Sequence, residues 1–137
     1  VNKSIKLPDN GIFCFGSNEA GIHGKGAAAF ANQRFGAKWR QGWGLAGRSF
    51  AIPTKNRHMK TLPLSDIKSY VEAFKVFARE HPDNIFFVTR IGCGLAGIKD
   101  SIMAKMFSDS PSNCLFDFEW TKYIDCQSFG PHASIIE

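Results

Sequence analysis

Ile12-Phe13-Cys14-Phe15-Gly16-Ser17-Asn18-Glu19-Ala20-Gly21-Ile22-His23-Gly24-Lys25-Gly26-Ala27-Ala28-Ala29-Phe30 is the stretch on which the fold turns. Its first four residues are continuously apolar, as in a buried strand, and they run into Gly16-Ser17-Asn18, which reads as the start of a loop. From Gly24 to Phe35 the Ala-rich segment predicts a helix formed at little side-chain entropy cost, punctuated by Phe30 and Phe35 and stopped by Gly36. Strand, glycine-rich loop and helix in that order point to an α/β layered domain.

Outward from this stretch the alternation continues. Ala37 to Gly47 reads as a loop holding Trp39 and Trp43, and Ser49-Phe50-Ala51-Ile52 reads as a second strand closed by Pro53. Between Pro63 and Pro82, the apolar residues Ile67, Tyr70, Val71, Phe74, Phe77 and Ala78 recur at helical spacing, which predicts an amphipathic helix over Leu64–His81. Asn84 to Ile91 contains Ile85-Phe86-Phe87-Val88, a continuous apolar run of the kind found in strands buried on both faces. After the Gly92-Cys93-Gly94 turn, Ile102, Met103 and Met106 suggest a short helix, and Cys114-Leu115-Phe116 a further strand. The expected sheet is largely parallel. From Asp117 onward, Trp120, Tyr123 and Ile124 read as an edge strand and Gly130-Pro131 as a turn; residues 117–137 form an extension without an assigned role.

With 137 residues and 15.2 kDa, one domain spanning 1–137 is the expected organisation. Hydrophobic residues at 44% and charged residues at 21% exclude wholesale disorder, collagen-like repetition and coiled coil. No apolar run reaches the ~18 residues needed to span a bilayer, and Val1-Asn2-Lys3-Ser4 lacks a signal peptide's apolar stretch, so a cytoplasmic protein without membrane partners is expected. Cys14, Cys93, Cys114 and Cys126 show neither a secreted scaffold's spacing nor a CxxC pair, and His23, His58, His81 and His132 lie far apart. Free thiols, no metal and no cofactor are the expectation. Charge is uneven: in residues 1–60 ten Lys/Arg face only Asp9 and Glu19, whereas the whole chain carries +5. Such a concentration suits an anionic ligand, a phosphate ester or nucleic acid, and equally a solvated basic face.

Ligands of such sheets collect beyond the carboxyl ends of the strands, and three loops fall there. Gly16 to Gly26 holds four glycines, which let a chain approach a diphosphate closely, while the following helix offers free N–H donors to its charge. It contains no Gly-Lys-Ser/Thr and no GxGxxG. Ile52-Pro53-Thr54-Lys55-Asn56 leaves a lysine at a strand end, either solvent-facing or placed to bind phosphate or attack a sugar carbon. Ile91-Gly92-Cys93-Gly94-Leu95-Ala96-Gly97-Ile98 repeats the anion-cradle logic. Cys93 reads as a small filler rather than a nucleophile, because no neighbouring His or Asp supports activation.

The order of these loops resembles the macro domain, the ADP-ribose-binding fold, and within it the lysine-dependent ADP-ribosyl glycohydrolases. The resemblance rests on Asn18 with His23-Gly24-Lys25-Gly26-Ala27 before a helix, Pro53-Thr54-Lys55 at a strand end, and Ile91-Gly92-Cys93-Gly94-Leu95, covering about residues 12 to 107. It is shared with small uncharacterised proteins of bacteria and phages. It implies a three-layer α/β/α sandwich with a mixed, largely parallel central sheet, and a site for ADP-ribose or a related NAD-derived nucleotide. It further implies that Asn18 contacts the distal ribose, that Gly24, Lys25 and Gly26 border the ribose and diphosphate, and that Gly92 to Gly97 wrap the diphosphate. Gly16, Ser17, His23 and Thr54 complete the implied set, and Lys55 matches the lysine that attacks the anomeric carbon. The sequence departs from the family in Ala96, which stands where some members carry an acidic residue, and no Trp matches near Asp100. Glu19, His23 and Asp100 remain as substitutes for the general acid/base.

These readings leave three functions in competition. One is removal of ADP-ribose from a protein or nucleic acid with Lys55 as nucleophile and Asn18 beside it; another is a non-catalytic module that reads or sequesters ADP-ribose. The third is nucleic-acid binding through the basic half and its aromatics. Trp39, Trp43, Phe35 and Phe50 are candidates for stacking on adenine or for anchoring the core.

Overall fold

A computed structural model describes residues 6–130. Its strands are β1 (Gly11–Asn18), β2 (Gly44–Ala46), β3 (Ser49–Lys55), β4 (Ile85–Val88), β5 (Cys114–Asp117) and β6 (Ser128–Phe129). They form one six-stranded sheet in the order β2-β3-β1-β4-β5-β6, parallel throughout except for β2, which runs antiparallel to β3. Helix α1 (Gly26–Arg34) packs on one face, and α2 (Leu64–Arg79) and α3 (Asp100–Met106) pack on the other. The result is a three-layer α/β/α sandwich with a mixed, largely parallel central sheet.

The pleat of β1 explains the layering, because successive side chains leave a strand on opposite faces. Ile12 and Cys14 join Phe50, Ile52, Phe74 and Phe86 beneath α2 and α3. Phe13 and Phe15 join Phe30, Phe35, Ala27 and Ala31 beneath α1. All eight residues of β1 are buried. The Phe13 ring stacks on Phe35 at 5.0 Å and meets the edge of Phe30 at 5.5 Å, while Ala27 and Ala31, one turn apart, let the helix backbone approach the sheet.

From β1 the chain passes through α1 to β2 and β3 on one side; from β3 it crosses through α2 to β4 on the other side of β1, and α3 then leads on to β5. The connections from β1 and β4 therefore diverge, and the crevice between their carboxyl ends is a topological switch point.

Several boundaries differ from the sequence reading. Helix α1 begins at Gly26 rather than Gly24, because Lys25 is extended and caps it from outside. Pro53 does not close β3; it lies within the strand opposite Ser17, beside the register shift between Ser17 and Asn18, where a missing N–H is tolerated. The segment read as a loop over Ala37–Gly47 contains β2. β4 is fully buried on one face only: Phe86 and Val88 are inside, whereas Ile85 and Phe87 are half-buried.

Trp120, Tyr123 and Ile124 do not form an edge strand. The Asp117 side chain accepts a hydrogen bond from Glu119 N at 2.9 Å and starts a 3₁₀ turn over Phe118–Lys122, which drives Trp120 into the core. The edge is taken by β6. Gly130 has φ 98, suited to a turn, while Pro131, His132 and the N-terminal Val1–Ser4 lie outside the described residues. Among those described, no helix is long and apolar enough to cross a membrane.

Candidate functional site

The carboxyl ends of β1, β3 and β4 open onto one cleft of about 350 Å³, within the ~300–1,000 Å³ usual for small-molecule sites. Gly16, Ser17 and Asn18, read from the sequence as the start of a loop, are instead the last residues of β1, paired with β3, and line the cleft. The loop that follows supplies Ile22, Gly24 and Lys25, with Ala28 of α1 behind them. The end of β3 supplies Thr54 and Lys55, the turn after it Met59, and the loop after β4 Leu95 and Ala96. Lys25 and Lys55 are the charged residues of this lining, and it contains no carboxylate. Helix α1 begins here, and Lys25 at its N-cap makes no side-chain capping bond, so no side chain of its own at that position covers the first-turn N–H groups.

Much of the first loop is held by internal bonds. The Asn18 carboxamide closes the turn on Ile22, donating from Nδ2 to Ile22 O at 2.8 Å and accepting from Ile22 N at 3.0 Å. Ser17 donates to Gly42 O. At Gly21 the backbone has φ +73, and a Cβ would lie 2.4 Å from the Arg40 carbonyl carbon; at Gly42 it would lie 2.2 Å from Asn18 O. Those two glycines let the first loop and the segment before β2 touch backbone to backbone. Gly24 has neither constraint, since a Cβ there meets nothing within 4 Å.

Lys55 is half-buried. Its carbonyl accepts from Glu19 N at 2.9 Å, and its backbone bridges to Thr61, so β3's end is fixed on both sides. Its amine enters none of the ion pairs among the described residues. Between them Asn56 Oδ1 accepts from His58 N at 2.8 Å and Lys60 N at 3.1 Å, a tight turn that holds Met59 at φ 62 with its side chain on the cleft. Thr61 Oγ1 then donates to Ala96 O at 2.9 Å and ties this turn to the third loop.

Other sequence candidates fall outside the lining. His23 is buried; its Nε2–H donates to Lys38 O at 2.8 Å and Gln41 O at 3.1 Å, and its ring meets Phe15 edge-on at 5.4 Å. Gly26, Gly92, Cys93, Gly94 and Gly97 also lie off the lining. Gly92, at φ +81, places its backbone against Met103, with 3.2 Å from a Cβ to Sδ. None of the three substitute acid/base residues lines the cleft. Glu19 accepts from Tyr70 OH at 2.6 Å, which pushes the tyrosine up to about 12. Asp100 is bound by Arg90, whose guanidinium holds the carboxyl down at about 2, with help from the Trp120 indole and the Cys93 thiol. An acid so strongly ionised is a poor proton donor.

Burial pushes Cys114 up to about 12 and raises Cys14 as well, which leaves both as inert core thiols. Phe35 and Phe50 are core residues; Trp43 packs on Phe50 and Tyr70, and Trp39 lies against His23. The sequence reading missed Ile22, Ala28 and Met59. It also passed over the spacing Gly92-Cys93-Gly94-Leu95-Ala96-Gly97, a GxGxxG that follows a strand and precedes α3.

The fold and the cleft define an α/β sandwich with a cationic pocket at its switch point. No family model matches the chain, and no curated protein does. A solved structure from Bacteroides thetaiotaomicron, described as a protein of unknown function, is 16% identical with a TM-score of 0.53, over 92% of this chain and 90% of that one. The likeness is one of fold.

Proposed function

We propose that the cleft binds ADP-ribose or a related NAD-derived nucleotide, in a macro-domain-like site. The observation that carries this reading is that loops from three strand ends meet in one pocket whose charged residues are Lys25 and Lys55, at the start of a helix, with no opposing carboxylate. A diphosphate gains there from both lysines and from backbone N–H groups. Gly24, which neither conformation nor packing requires to be glycine, leaves room for close approach of such a ligand.

In the catalytic form of the reading, Lys55 Nζ attacks the anomeric carbon of an ADP-ribosylated protein or nucleic acid. The bond to the acceptor breaks, the acceptor leaves with the electron pair and takes up a proton, and water later releases ADP-ribose from the lysine. Binding without turnover, as a reader or sequestering module, is supported by a specific feature: Ala96 lines the cleft where a carboxylate is needed, and Glu19 and Asp100 are engaged by Tyr70 and Arg90.

Calorimetric titration with ADP-ribose, set beside AMP and single-stranded DNA, tests the proposal. Saturable one-to-one binding of ADP-ribose, weaker for AMP, is expected; binding of DNA alone would replace it by a nucleic-acid function. Release of ADP-ribose from modified protein or DNA, with a lysine adduct trapped by a hydride reductant and lost in Lys55→Ala, identifies the enzyme. Tight binding with neither turnover nor adduct identifies the reader.

A further inference from the structure

The third loop leaves β4 at Arg90 and enters α3 at Asp100, and these two residues grip each other. Arg90 Nε donates to Asp100 Oδ1 at 2.8 Å and Nη2 to Oδ2 at 2.7 Å, a planar two-point contact. The Trp120 indole N–H donates to the same Oδ1 at 2.8 Å. Trp120 is itself fully buried, packed on Phe107 at 5.4 Å and Phe116 at 6.0 Å. One carboxylate thus joins the end of β4, the start of α3 and the 3₁₀ turn after β5.

The tip of the loop has little packing of its own. Leu95 is 62% exposed, and a Cβ at Gly97 would meet nothing within 4 Å. Inside it, Gly97 N bonds Gly94 O and Ile98 N bonds Gly92 O, which shape the turn without anchoring it to the body. The two ends of the loop are anchored by Cys93 and Ile98, which pack on the core beneath α3, and by the Arg90–Asp100 base; the tip is tied at its other side, by Thr61 Oγ1 on Ala96 O.

We propose that Arg90, Asp100 and Trp120 form a clasp that sets the position of Leu95 and Ala96 in the cleft, which makes Asp100 and Trp120 positioning residues for the ligand and gives the segment after β5 a role in the site. The functional part of this inference rests on the nucleotide-binding reading. Its physical basis is that a partly buried ion pair adds little stability over apolar residues of the same volume, whereas its two-point geometry fixes orientation. A loop that needs only to be closed has no use for such a pair; a loop that must hold two residues against a ligand does.

Two variants test the clasp. Trp120→Phe keeps the aromatic packing and removes the indole donor; Asp100→Asn keeps an oxygen for the indole and removes the charge facing Arg90. Amide hydrogen exchange is followed in the unliganded protein, and ADP-ribose affinity is measured well below the unfolding transition. Exchange across residues 92–99 is expected to accelerate about tenfold in both variants while β1 and α2 amides stay protected. ADP-ribose affinity is expected to fall by roughly 3- to 10-fold, the size of couplings carried through a supporting element. Unchanged loop exchange in both folded variants overturns the clasp, and a loosened loop with unchanged affinity overturns its positioning role. A general rise in exchange across the sheet overturns it too, because a merely structural part produces that pattern. If the unaltered protein does not bind ADP-ribose, the proposed function falls, and loop exchange alone then decides whether the clasp stands.

Discussion

At the scale of single residues, two glycines of the first loop separate conformational need from ligand need. Gly21 combines φ +73 with a would-be Cβ 2.4 Å from Arg40 backbone. Gly21→Ala is therefore expected to destabilise the protein by at least ~2 kcal/mol in denaturant unfolding. At Gly24 the space is open and no such φ is imposed, so Gly24→Ala is expected to stabilise by ~0.4–1 kcal/mol through the unfolded chain. The same methyl points into the cleft's surroundings and should weaken ADP-ribose binding; equal affinity with and without it would show that Gly24 borders no ligand. Asp100 gives a pH prediction. Its carboxyl, held mainly by Arg90, lies at about 2 against an ordinary 3.8. A depressed acid stabilises the fold above its unfolded pKa, and that contribution is lost as pH falls from about 4 through about 2. With the pair partly exposed and screened, its size is about 1–2 kcal/mol. The stability gap between the unaltered protein and Asp100→Asn should be open at neutral pH and largely closed near pH 2; a gap constant across that window would refute the linkage.

At the scale of elements, β2 shows how the sheet protects an edge. This short outer strand exposes Leu45, and Gln41 Nε2 donates to Trp43 O at 3.2 Å and Leu45 O at 2.9 Å. The side chain thereby occupies carbonyls that another strand would use. Gln41→Ala should leave the monomer folded and raise self-association, read as a concentration-dependent increase in mass by light scattering; an unchanged mass would mean that the edge is closed by its shortness alone. The strand itself escaped the sequence reading because Gly44-Leu45-Ala46 has too few residues to show alternation. By contrast, the first half of β1, and α2 and α3, were legible: Phe and Ile clusters bounded by glycine, and six apolar positions at helical spacing between two prolines, leave few alternatives. The second half of β1, Gly16-Ser17-Asn18, has loop-like composition and escaped the reading because pairing with β3 holds it in the strand. The 3₁₀ turn was misread because Trp120, Tyr123 and Ile124 have strand-like composition, and the deciding feature was one capping carboxylate on Asp117.

At the scale of the whole molecule, the site was legible in pieces and not as an arrangement. Asn18 at the end of β1, Lys55 at the end of β3 and the Leu95-Ala96 pair in the loop after β4 lie far apart in sequence, and periodicity does not order strands. The order β3-β1-β4 makes neighbours of them. Met59 was hidden for a related reason, since only the Asn56 turn and its bridge from Lys55 to Thr61 bring it back over the cleft. A ligand spanning this cleft touches loops that close both layers of helices, so its binding energy is added to the stability of the whole fold. At about one hundred times its dissociation constant, ADP-ribose should stabilise the protein by ~2.7 kcal/mol. For a chain of this size that corresponds to a rise in Tm of roughly 8–13 °C. Lys55→Ala removes one of the two cations of the lining, so at the same ligand concentration the rise should shrink while Tm without ligand stays nearly constant, because the Lys55 amine makes no ion pair among the described residues. AMP should give a smaller rise than ADP-ribose. A thermal shift with ADP-ribose that survives undiminished in both Lys55→Ala and Gly24→Ala would place the ligand elsewhere on the molecule.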